Sequence, residues 1–274
     1  SVFVSILPQS WFVERIGGND VEVFFLVGPG DSPATFEPAP RELVRLAGAD
    51  LLLTIGVPFE KMLMPRLEGR HEGLAIRDMA EGVERRRMEP AAGGRHARDN
   101  GHPHGPTDPH VWLDPVRAET LARNTRDALA ELRPAHRERF DANLDGLIED
   151  LRETHRQLGE MLAPYEGGTV LVFHPAFGYF TDRYGLDQLA IQSGGLEPGP
   201  RRLAETIDRA RELGLRTVFA QPQSPSASVQ AVAEAIGGGI EVLDPLAPKY
   251  LDNLRHLGRE VREALGEARG AGSR

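Results

Sequence analysis

"PVRAETLARNTRDALAELRPAHRERFDANLDGLIEDLRETHRQLGEML", residues 115–162, carries an apolar residue at every third or fourth place along most of its length: Leu121, Leu129 and Leu132, then Phe140, Leu144, Leu147, Leu151 and Leu158. That is the period of an amphipathic helix. Pro134 interrupts it, because proline lacks the helical N–H and its ring clashes with the preceding turn. The pattern therefore predicts a helix, a break, and a second, long helix. Asp114 before Pro115 reads as an N-cap with proline at the first helical position, and Asp108 reads as a turn residue.

Either side of this run the pattern changes. Upstream, "VFVSIL" and "VEVFFLVGP" read as short buried strands, separated by the helical "SWFVERIGG". "APRELVRLAGADLLLTIGV" is a helix running into another strand, and "EKMLMPRLEG" is a short helix. Downstream the same beat returns: strands "TVLVFH", "LDQLAIQ", "RTVFAQP" and "IEVLDPL" alternate with helices "PAFGYFTDRYG", "PGPRRLAETIDRARELG", "SASVQAVAEAIGG" and a terminal "YLDNLRHLGREVREALGEAR". Strand–helix alternation is the mark of α/β lobes with mainly parallel sheets. The expected organisation is an N-terminal α/β lobe over residues 1–114, a helical connector over 115–163 and a C-terminal α/β lobe over 164–274. Residues 89–109, "EPAAGGRHARDNGHPHGPTDP", follow neither period and read as a long loop rich in Gly, Pro, Arg and His.

Composition narrows the function. With 40% hydrophobic and 27% charged residues over 274 positions, the chain is globular and long enough for two lobes. A formal net charge of −9 argues against a nucleic-acid partner, since phosphate recognition needs a basic surface. There is no Cys, hence no disulfide frame and no thiolate ligand or nucleophile. No apolar run approaches the roughly 20 residues of a membrane span. The chain starts at Ser1 directly in a strand-like run, so a processed or trimmed N-terminus is expected, and a removed export signal or a cytosolic chain cut at a domain edge would look alike.

In open α/β sheets ligands bind at the carboxyl ends of the strands. "TVLVF" ends in His174, "IEVL" in Asp244, and "RTVFA" in Gln221 and Gln223, while His110 stands just ahead of the connector in "DPHVWLDP". Imidazole and carboxylate donors suit Zn²⁺, and also Mn²⁺ or Fe²⁺. Singly, each reads equally well as a cap or a turn; Asp244 before Pro245 is a common turn starter. Their order along the chain is more specific.

"VFVSILPQSWFVERIGG", "VGPGDSPATFEPAPRELVRLAGADLLLTIGVPFE", "DPHVWLDP", "VFHPAFGYFTDRYGL", "SGGLEPGPRRLAETI", "VFAQPQ" and "IEVLDPL" resemble, in this order, the zinc/manganese substrate-binding proteins of ABC transporters, the TroA-like family. The resemblance runs from Ser1 to about Leu254. It implies two α/β lobes joined by a long, stiff helix, a metal held between the lobes, modest lobe motion, and no catalysis. It implies His110, His174 and Asp244 as metal ligands. Ala34 stands where the family's first metal histidine is found, so either one coordination place falls to water or to His104 or His102 of the neighbouring loop, or the site has lost high-affinity binding. Gln221, where some members carry Glu, is an uncharged and weaker auxiliary donor.

The function so implied is an extracytoplasmic solute-binding protein that captures a divalent cation, zinc before manganese or iron, and delivers it to the membrane subunits of an ABC importer. A periplasmic or lipid-anchored monomer is expected. Ligation needs neutral imidazoles, so affinity is expected to fall as pH drops through the histidine range near ~6.5. Two rivals fit the same residues: a receptor for a metal chelate or organic solute on this scaffold, and a zinc hydrolase with an open coordination place. Against the hydrolase, the sequence has no HExxH.

Overall fold

The computed structural model describes residues 1–67, 73–88, 107–192, 197–223 and 227–272. The elements run β1 (Val2–Ile6), α1 (Leu7–Gly17), β2 (Val23–Val27), α2 (Pro40–Ala47), β3 (Leu51–Thr54), α3 (Glu60–Leu67), β4 (Ala75–Asp78), α4 (Pro115–Leu132) and α5 (Arg137–Leu162). They continue with β5 (Thr169–Val172), α6 (Gly178–Arg183), β6 (Asp187–Ala190), α7 (Pro200–Glu212), β7 (Thr217–Ala220), α8 (Ala227–Ile236), β8 (Gly239–Val242) and α9 (Tyr250–Gly272).

The chain forms two compact units. One comprises Ser1–Glu84, Asp114–His155 and Leu246–Asn253; the other comprises Arg85–Leu113, Arg156–Pro245 and Leu254–Arg274. Helix α5 runs from the first unit into the second. At 26 residues it is about 39 Å long. Phe140, Leu144, Leu147, Leu151, Thr154, Leu158 and Leu162 are buried along it at the three- and four-residue steps of a helix, with Ile148 beside them. The break before it falls at Arg133, ahead of Pro134, where the backbone leaves the helical region (φ −135°, ψ 72°) because proline crowds the residue before it. Asp114 caps α4 as expected, its carboxylate accepting from Val116 N–H at 2.9 Å.

The first unit holds a four-stranded parallel sheet in the order β2-β1-β3-β4. Val2, Val4 and Ile6 of β1 and Leu51, Leu52 and Leu53 of β3 are buried at its centre. Strand β2 lies at the edge, so Phe25 is 44% exposed instead of buried as its apolar run implies. The sequence pattern marks no strand at Ala75–Asp78. The four residues "AIRD" have no apolar alternation of their own and become β4 by pairing with β3, Leu51 to Ala75 through Thr54 to Asp78.

The second unit repeats the plan, with parallel order β6-β5-β7-β8. Leu171, Phe173, Leu189, Ile191 and Val218 pack with Val229, Val232 and Ile236 of α8 to form its core. In this order the chain leaves β5 to one side for β6 and to the other for β7. The carboxyl ends of β5 and β7 therefore flank a topological switch point, where open α/β sheets place ligands.

Candidate metal centre

His174 and Gln221 follow the two strands that flank that switch point, and Asp244 follows β8, the neighbour of β7. Phe173 still belongs to the sheet, its N–H donating to Phe219 O at 2.8 Å, and His174 is the next residue. Gln221 follows β7 directly. Leu243 donates to Ala220 O at 2.9 Å, and Asp244 is the next residue after β8. His110 reaches the same unit by a different route, through the turn Asp108-Pro109-His110 that leads into a short 3-10 turn at Val111–Leu113.

The two imidazoles meet. Their centroids are 5.4 Å apart and their planes are inclined at 73°. Each ring has its Nδ1 engaged. His110 Nδ1 lies 2.7 Å from Asp108 Oδ1, and His174 Nδ1 lies 3.1 Å from Gln192 Oε1. Both partners are acceptors, so in the neutral ring each Nδ1 carries the proton and Nε2 keeps its lone pair for a ligand. Burial, joined by repulsion from His110, pushes the His174 imidazolium down to about 4; Gln192 and Asp108 oppose the shift. His174 is therefore neutral at physiological pH, the form a metal requires.

Asp244 sits with Gln223, whose Nε2 donates to Asp244 Oδ1 at 2.7 Å. Gln221 is buried, and its Nε2 has no hydrogen-bond partner among the described residues. Among the described residues no three His, Cys, Asp or Glu side chains gather closely enough to hold one ion. The structure thus brings His110 to His174 and leaves Asp244 bonded to an amide. Ala34 belongs to the first unit, in an exposed turn where its N–H donates to Ser32 Oγ at 3.3 Å. His102 and His104 lie outside the described residues.

Asp108 does more than the turn the sequence pattern assigns to it. Its Oδ1 accepts both the His110 N–H, at 3.0 Å, and the His110 ring, while the side chain is only 1% exposed. Around it, Tyr179 bridges two segments: its phenol accepts from Arg86 N–H and donates to Asp108 O, both at 2.9 Å. The two-residue step from Asp108 to His110 is the one signal in the sequence that points to this pairing.

Residues 2–264 match the family model described as the zinc-uptake complex component A, periplasmic (ZnuA). The chain belongs to this family. It is similar to the high-affinity zinc uptake system protein ZnuA of Yersinia pestis, with 29% identity over 263 residues, 90% of this chain and 83% of the relative. It is also similar to the zinc-binding protein AdcA of Streptococcus pyogenes serotype M1, 28% identical over 258 residues; the match covers 89% of this chain and 50% of AdcA. Among solved structures, a crystal structure of ZnuA superposes with a TM-score of 0.88 at 35% identity, covering 96% of this chain and 98% of that one. A ZnuA deletion mutant with zinc bound superposes with a TM-score of 0.85 at 34% identity, covering 96% of each. The two parallel-sheet lobes and the long helix α5 are the expected fold of this family.

Proposed function

We propose that the chain is an extracytoplasmic receptor that captures zinc and hands it to the membrane subunits of an ABC importer. The observation that carries this reading is the pair of imidazoles, His110 and His174, edge to face at the switch point of the second sheet, each with Nδ1 engaged and Nε2 left for an ion. Membership of the zinc-uptake family supports the choice of cargo. Zinc sheds water to take up the two imidazole nitrogens. Asp244 supplies the anionic donor once it exchanges Gln223 for the ion, and water completes the shell. Gln221, His102 and His104 are auxiliary donors. The cycle is binding and release, without turnover, by a monomer outside the cytoplasm. No helix of the described residues is long and apolar enough to cross a membrane.

Titration of the metal-free protein with zinc, manganese and iron, followed by calorimetry and metal analysis, tests the reading. Tight binding of one zinc per chain, with manganese and iron weaker, is the expected result. Absence of zinc binding together with uptake of a chelate or organic solute would transfer the scaffold to the rival receptor reading.

A further inference from the structure

We propose that Arg86 is a positioning residue for the metal site: lodged where Gly178 has no side chain, its guanidinium holds the Asp108 carboxylate that in turn holds His110. The inference rests on the reading of His110 as a zinc ligand.

The argument starts at Gly178, the first residue of α6. A Cβ built there would lie 1.1 Å from Arg86 Nη1 and 2.4 Å from Arg86 Cζ. The guanidinium occupies the space that glycine leaves open, and a side chain at 178 would have to displace it. From there it reaches two carboxylates, Asp182 Oδ2 at 3.1 Å from Nε and Asp108 Oδ2 at 3.7 Å from Nη1, and its Cζ lies 5.8 Å from the centre of the Tyr179 ring. The Arg86 side chain is 15% exposed and that of Asp108 is 1% exposed. A carboxylate this deeply buried needs a compensating charge and donors to fix it. Oδ1 has its donors, the backbone and ring of His110. Oδ2 has no hydrogen-bond partner among the described residues and faces the guanidinium as an ion pair.

The backbone repeats the connection. Asp108 N–H donates to Arg86 O at 3.0 Å, and Arg87 pairs with Thr107 in an antiparallel bridge. Arg86 and Asp108 are thus held side by side whatever their charges do. The guanidinium adds orientation: with Oδ2 turned to Arg86, Oδ1 is left to His110, and the proton stays on Nδ1. Groups that orient a ligating imidazole through its second nitrogen typically contribute 10–100-fold to metal affinity.

Four variants test this: Arg86→Met, Arg86→Lys, Asp108→Asn and the double variant Arg86→Met/Asp108→Asn. Zinc affinity is read by competition with a chelator, and the His110 tautomer is read in the metal-free protein from the ring ¹⁵N chemical shifts. Arg86→Met is expected to weaken zinc binding by about tenfold or more and to spread the His110 proton over both nitrogens. Arg86→Lys, which keeps the charge, is expected to recover part of both. Because Arg86 acts through Asp108, the double variant should lose no more than Asp108→Asn alone. The double variant also buries no unpaired charge, so the comparison survives if Arg86→Met does not fold. Zinc affinity within twofold of the parent in Arg86→Met, an unchanged tautomer, or losses that simply add in the double variant would each overturn the proposal. His110→Ala separates the two levels: if it leaves zinc affinity unchanged, the ligand reading itself fails. If it abolishes binding while Arg86→Met does not weaken it, the ligand reading stands and only the role of Arg86 falls.

Discussion

The indole Nε1–H of Trp112 donates to the carbonyl oxygen of Pro245 at 2.7 Å. This bond joins the residue two places after His110 to the residue directly after Asp244. Trp112 is 1% exposed, so its N–H has no water to turn to and depends on that carbonyl. Trp112→Phe keeps a ring in place but removes the donor and leaves a buried acceptor unmatched. The expected cost is about 1–3 kcal/mol in urea unfolding, together with a several-fold loss of zinc affinity as the Asp244 segment loosens. Unfolding and affinity both equal to the parent would show that the bond does not set the spacing of the two segments.

The same indole reports on the site. Trp112 and His110 have ring centroids 5.3 Å apart, and the chain has one other tryptophan, Trp11. Zinc is expected to change the emission of Trp11→Phe as it does that of the parent. Trp112→Phe is expected to lose the signal while still binding zinc by calorimetry. A response that survives in Trp112→Phe would place the ion away from His110.

His110→Ala and His174→Ala each remove one imidazole from the facing pair. Each is expected to weaken zinc binding by at least tenfold, about 1.4 kcal/mol. Chelator competition on both variants, with thermal unfolding as a check on folding, measures this. Unchanged affinity in both would sink the ligand assignment.

Deletion of residues 95–105 removes His96, His102 and His104. If these histidines assist capture without ligating, equilibrium affinity stays within a few-fold of the parent and only the association rate falls, as stopped-flow mixing would record. A loss of affinity as large as that of His110→Ala would make one of them a metal ligand.

Glu60 gives the first unit a pH signature. It is buried, and its carboxylate accepts from Ser5 Oγ, from Ile55 N–H at 2.9 Å and from Gly56 N–H at 2.7 Å. Gly56 offers that N–H from a backbone with φ 91°, a region other residues rarely adopt. Burial pushes the Glu60 carboxyl above its ordinary value of 4.5, and the three donors reverse only part of the shift. A raised folded-state pKa means the folded protein takes up this proton first as pH falls. The group's stabilising contribution is therefore full below the unfolded value and is lost as pH rises through the raised one. Glu60→Gln abolishes the titration and turns an amide N–H against a backbone donor, at a cost of about 1–3 kcal/mol at neutral pH. The stability gap between parent and variant is expected to widen from pH 7 to below pH 4.5 in urea unfolding. A gap that stays constant across that range would remove Glu60 as its source.

Much of the fold was legible in the chain because helix and strand periods are local. The steps from Phe140 to Leu158 place one apolar face on α5, and Pro134 has to end what precedes it. Strand β4 escaped because "AIRD" takes its extended form from β3, a partner outside any short window. Of the candidate site, His110, His174, Gln221 and Asp244 stood out because each ends an element. Asp108 showed only as a turn residue, since its buried carboxylate and its hold on the His110 ring depend on what packs over it.

The sequence by itself determined the alternation of strands and helices, the two long helices and their break, and which residues could donate to a metal. Each of these follows from side-chain chemistry and spacing within a few turns of chain. Only the tertiary structure decided that His110, which precedes the long helices, packs in the same unit as His174 and Asp244, which follow them. It also decided that Arg86 lies over Gly178, and that Tyr179 ties Arg86, 93 positions away, to Asp108. The physical reason is that such contacts form where buried donors, acceptors and charges must find partners across the folded chain. A glycine's missing side chain acquires a purpose only when the distant group that fills its place has arrived.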